Sequence, residues 1–134
     1  MYVMAGDPFP NMSIEDFEAF FADKHTEKDL ADAYALSHNK FWDVEDNTYD
    51  YEEGTPEHKA ACAVTHEWGE LIDKYKRRIL EILAAEGVTI PENGQIKILE
   101  RFMARYGYSD DNGWWIKAKN VEGSIWENGM SRRK

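Results

Sequence analysis

Apolar residues recur along this chain at steps of three and four, and the rhythm breaks where glycine, proline and Asp/Asn cluster, which predicts a series of amphipathic helices. Ser13, followed by Glu15 and Asp16, is a helix start, and Ile14, Phe17, Phe20 and Phe21 then predict a first helix over 14–24. Thr26 with Asp29 repeats the signal for a second helix whose stripe is Leu30, Tyr34, Ser37, Phe41 and Val44. Thr55, Pro56 and Glu57 give the clearest start of all: a capping hydroxyl, a proline where its missing donor does no harm, and an acid near the positive pole. Ala61, Val64, Trp68, Leu71, Tyr75, Ile79 and Ile82 follow, predicting one helix over 56–86 of roughly 45 Å that ends at Gly87. Gly69 lies inside it, a mark of close packing or a slight bend.

After the Pro91 to Gly94 turn, Ile96, Leu99, Phe102, Met103 and Tyr106 predict a shorter fourth helix stopped by Gly107. Helical spacing then ends. Asp111, Asn112 and Gly113 predict a turn, and Trp114 to Lys119 pairs with Ser124 to Trp126 across Asn120 to Gly123 in the expected small hairpin. Residues 1–12, broken by Gly6, Pro8 and Pro10, read as an extended leader, and Ser131 to Lys134 as a frayed basic tail. The predicted fold is mainly α: a single domain over 1–134 with a helical core at 13–107. Its second and third helices form a hairpin braced by the first and fourth, in a four-helix arrangement. An aromatic-rich β-hairpin or irregular element occupies 108–134.

Composition supports a packed core, because five Trp, seven Tyr and six Phe accompany a charged exterior. Cys62 is the single cysteine, which rules out an internal disulfide. The amino terminus carries neither a basic leader nor a long apolar run, and no segment approaches the roughly 20 apolar residues that span a bilayer, so a cytoplasmic protein without a membrane partner is expected.

Charge changes the picture most. The formal net charge is −10, yet the acid is regional: residues 1–57 hold fifteen Asp and Glu against three Lys, and the rest of the chain is slightly basic. The peak is Asp43, Glu45, Asp46, Asp50, Glu52 and Glu53, an uninterrupted acidic connector between the second and third helices. Such a field repels nucleic acid and anionic membranes and favours a basic protein surface. Trp114 and Trp115 are a second candidate contact, since adjacent exposed tryptophans make strong anchors.

Chemistry elsewhere is thinner. His66, Glu67 and Glu70 resemble the zinc-peptidase pattern with Glu70 in place of the second histidine, but 66, 70, 73 and 77 fall opposite the apolar stripe, where His66 with Glu70, Glu70 with Lys74 and Asp73 with Arg77 are solvated i, i+4 pairs. Glu67 to Asp73 also resembles the Glu-x-x-Glu helix of all-α nucleotide pyrophosphohydrolases, which implies carboxylates holding magnesium. The later acidic pair of that family has no helical counterpart, and the earlier pairs Glu15/Glu18 and Asp29/Asp32 avoid their apolar stripes. The connector lacks the acid spacing and central glycine of an EF-hand. Lys97, Arg101 and Arg105, with Lys117 and Lys119, make a basic row that pairs with the acidic helices or grips single strands.

Phe102 to Tyr108 together with Asn112 to Ile116 resembles the end of small accessory proteins carried by bacterial phages and integrative elements. That resemblance implies an inhibitor or adaptor acting on host machinery, anti-CRISPR proteins that imitate DNA with acidic surfaces among them. The expected function is therefore a non-enzymatic acidic protein that occupies a basic site on a nuclease or other nucleic-acid-binding protein, without cofactor or metal. A carboxylate-rich, metal-dependent hydrolase is the alternative.

Overall fold

The computed structural model describes residues 13–111 and 114–117. It is mainly helical: α1 spans Ile14–Phe21, α2 Glu27–Thr48, α3 Pro56–Ala85 and α4 Gln95–Ala104, followed by strands β1 (Tyr108–Asp111) and β2 (Trp114–Lys117). The start signals act as expected. Asp16 N donates to Ser13 Oγ at 3.1 Å, and Thr26 and Asp29 cap one another reciprocally, Asp29 N to Thr26 Oγ1 at 3.0 Å and Thr26 N to Asp29 Oδ2 at 3.3 Å. Thr55 Oγ1 accepts from His58 N at 3.2 Å with Pro56 at the first helical position. Gly87 and Gly107 follow α3 and α4 with φ of 94° and 87°, a conformation that residues with a Cβ rarely adopt.

The pair α2 and α3 is the spine of the fold. From α3, Trp68, Leu71, Tyr75, Ile79 and Leu83 are buried. The final position is Leu83 and not the predicted Ile82, because four-residue steps from Tyr75 land on 79 and 83. Val64, the second predicted member of the stripe, is 42% exposed. Phe17 of α1 meets the edge of Trp68 with ring centroids 5.1 Å apart, and Leu99, Phe102 and Met103 of α4 close the other end of the core. Each such side chain contributes about 1.5–3 kcal/mol by leaving water.

Two predictions are corrected. The second helix is not simply amphipathic: every residue from Leu30 to Ser37 is buried, polar ones included, because α3 packs on one side and the β-hairpin on the other. The alanines Ala31, Ala33 and Ala35 let backbone approach on both sides. The hairpin also closes earlier than expected. Tyr108 pairs with Lys117 and Asp111 with Trp114 in an antiparallel register, leaving only Asn112 and Gly113 between the strands, the dipeptide most favourable to a two-residue connection. The leader at 1–12, the second strand expected at Ser124 to Trp126 and the tail at 131–134 lie outside the described residues.

The hairpin is tied to α2 by two polar contacts across 76 residues of sequence. Asn39 Nδ2 donates to Trp115 O and Asn39 Oδ1 accepts from Trp115 N, both at 2.9 Å. Those Trp115 groups face away from β1, so Asn39 satisfies them as a neighbouring strand would. The hydroxyl of Tyr108 donates to Asp32 Oδ1, while Lys28 Nζ lies 3.0 Å from Asp32 Oδ2. Asp32 is 3% exposed, against the expectation that it stands off the apolar stripe; the hairpin covers the face that helical periodicity alone assigns to solvent.

Candidate functional site

The acidic run is built on the far end of the hairpin. Only part of the run is a connector, since α2 continues to Thr48 and carries Asp43, Glu45 and Asp46 on its last turns. Beyond it the chain turns under local bonds: Thr48 Oγ1 donates to Glu45 O at 2.7 Å, Thr55 Oγ1 to Glu52 O at 2.7 Å, and Gly54 takes φ of 90° before α3 begins. Asp50, Glu52 and Glu53 therefore sit on a shaped turn between two helix ends. Asp43, Asp46, Asp50, Glu52 and Glu53 are exposed and Glu45 is half-buried. Glu45, Asp46, Asp50, Glu52 and Glu53 make no ion pair among the described residues.

Electrostatics makes this placement unfavourable for folding. The carboxyl end of a helix is its negative pole, and α2 has no base in its last turn to offset Glu45 and Asp46. An adverse charge there costs on the order of 0.3–1 kcal/mol. In the same turn stand two large exposed aromatics, Tyr49 at 80% and Tyr51 at 45%. The acids had been singled out without them, although the alternation Tyr49, Asp50, Tyr51, Glu52 is legible in the sequence. Beneath the turn, the first three turns of α3, Pro56 to Glu67, contain no buried residue, so the tip stands clear of the core.

The tryptophans divide differently. Trp115 is 1% exposed and packs 6.0 Å from the ring of Tyr34, so it belongs to the core and offers no contact surface. The reason is the early hairpin, which lays β2 against α2. The side chain of Trp114 lies outside the described residues.

The carboxylate row of α3 remains a solvated face. His66 Nε2 is 3.5 Å from Glu70 Oε2 with both side chains exposed, and Lys74 reaches Glu18 of α1 at 3.8 Å instead of Glu70. Among the described residues no three His, Cys, Asp or Glu side chains converge as metal ligands would. Cys62 is exposed, with its sulfur 3.7 and 3.8 Å from the ring nitrogens of His58, a neighbour that the four-residue spacing places there.

The basic row splits. Arg105 is committed to acids: it forms a bidentate pair with Glu86 at 2.9 and 2.6 Å and lies 3.9 Å from Glu27, whose carboxylate also accepts from Tyr106 at 2.7 Å. That hydrogen-bonded pair lowers the Glu86 carboxyl below its ordinary value and raises Arg105. Burial and the Glu27 bond push Tyr106 up to about 12. Lys97 and Arg101 are exposed and make no ion pair among the described residues, while Lys119 lies outside them. No helix among the described residues is long and apolar enough to cross a membrane.

No family model, curated protein or solved structure matches this chain. The site must therefore be read from its own geometry.

Proposed function

We propose that the protein is a non-enzymatic interaction module that presents the acidic tip of the α2/α3 hairpin to a basic site on a nucleic-acid-binding protein, a host nuclease in the setting of a mobile element. The observation that carries this reading is that Glu45 and Asp46, without an ion pair among the described residues, stand at the negative end of α2, where they oppose folding, beside the exposed Asp50, Glu52 and Glu53. Residues that break a local stability rule without compensation in the fold point to a role outside it. Carboxylates spaced over two helix ends and a shaped turn stand in for phosphates in pairing with Arg and Lys. Tyr49 and Tyr51 add rigid contact area on which a guanidinium stacks.

The test is capture from nuclease-treated bacterial lysate with the native chain beside a variant in which Glu45, Asp46, Asp50, Glu52 and Glu53 become Gln or Asn. A basic nucleic-acid-binding protein retained by the native chain, released by salt, lost with the variant and displaced by DNA supports the proposal. A partner held equally by both chains, or one indifferent to DNA, overturns it.

A further inference from the structure

About five turns along α3 from the tip, where α1 and the start of α2 meet the middle of α3, lies a cavity of about 320 Å³. Its apolar floor is formed by Phe21, Leu30 and Ala33 with the ring of Tyr75. In a chain of formal charge −10, Lys24, His25, Lys74 and Arg78 all line this one space.

Two observations point to a ligand. Tyr75 is 5% exposed and its hydroxyl makes no hydrogen bond among the described residues, which leaves the donor available to a group bound in the cavity it lines. Tyr75 lines the cavity together with Glu18 and Arg78. Burial, and then Glu18, push the Tyr75 hydroxyl up to about 12, so it keeps a proton to donate.

The charges around the cavity are also unequally matched. Glu18 faces Lys74 at 3.8 Å, Asp29 accepts from Thr26 N at 3.3 Å, and Lys24 donates to Phe20 O at 2.7 Å. Arg78 and His25 make no ion pair among the described residues. One guanidinium, one imidazole and one phenol donor around the cavity therefore have no protein partner among the described residues.

We propose that this cavity binds a small phosphomonoester, its phosphate accepting from Arg78 and from the Tyr75 hydroxyl, and its organic part lying on Phe21, Leu30 and Ala33. A guanidinium offers paired donors that match phosphate oxygens, and Lys74 stands beside it as a second positive charge. The site is independent of the acidic tip and takes a ligand of opposite charge.

Titration of the labelled protein with phenyl phosphate, followed by amide chemical shifts at constant ionic strength, tests the assignment. Saturable shifts are expected around Tyr75 and Arg78, weaker with inorganic phosphate and absent with chloride. Arg78→Gln, at an exposed position that leaves the core intact, is expected to weaken binding at least tenfold. Tyr75→Phe, which keeps the ring and removes only the donor, is expected to weaken it about tenfold. Shifts reproduced by chloride, or native affinity in Arg78→Gln, overturn the proposal.

Discussion

The two ends of the α2/α3 hairpin treat polar groups in opposite ways. At the core end Asp32 and Asn39 are buried and each is answered by a partner on the β-hairpin. At the tip Glu45, Asp46, Asp50, Glu52 and Glu53 find no ion-pair partner among the described residues, and the first three turns of α3 bury nothing. The same two helices therefore hold the molecule together at one end and carry a charged, aromatic surface away from it at the other. Polar residues at the core end fix which packing is adopted, whereas Glu45 and Asp46 at the tip oppose the dipole of α2.

The comparison breaks most visibly at the core. Trp68→Ala removes a 2% exposed side chain contacted by Phe17 and is expected to destabilise by about 3–5 kcal/mol in chemical denaturation. A loss below 1 kcal/mol would mean that α1 is not seated on α3. Next in size is Asn39→Ala, which strands the buried N–H and C=O of Trp115. A loss of about 1–3 kcal/mol is expected, with the amide protons of β1 and β2 exchanging faster than those of α3. Uniform exchange in the variant would show that the hairpin holds to α2 without this contact.

At the tip the sign reverses. Glu45→Gln with Asp46→Asn is expected to raise the melting temperature slightly, by the equivalent of about 0.3–1 kcal/mol per charge, at two of the positions whose neutralisation abolishes partner capture. A drop in melting temperature would place these acids among the structural residues.

The smallest effect concerns pH. The folded-state Glu86 carboxyl lies below its ordinary value of 4.5 because of Arg105, so its contribution is present above that value and lost as pH falls through the lower folded value. Native chain and Glu86→Gln should differ in melting temperature at neutral pH and converge in acid. A difference that persists at the lowest pH would point to contacts other than the ion pair.

Much of this was legible in the chain. Caps and stops at Ser13, Thr26, Thr55, Gly87 and Gly107 fix where helices begin and end through local chemistry, which needs no tertiary knowledge. The face of α2 was not, because Asp32 and Asn39 are polar residues made internal by a hairpin more than 70 positions away. Periodicity assigns them to water, and only the register of β1 with β2 reverses that. Trp115 was misread for the same reason. The acidic tip was visible as composition, whereas its shape, and the place of Tyr49 and Tyr51 in it, depend on α2 continuing to Thr48.

The bridge from Asn39 to Trp115 also sets a schedule. During synthesis α2 emerges early, but its hairpin-facing side has no partner until residue 115 has been made, long after α3 is available. At roughly 5–20 residues per second, the 30 positions between the end of α3 at Ala85 and Trp115 correspond to about 1.5–6 seconds in which a helix rich in buried alanine is covered on one side only. Completion of the fold thus waits on the synthesis of β2, and a product interrupted before β2 displays the unfinished side of α2.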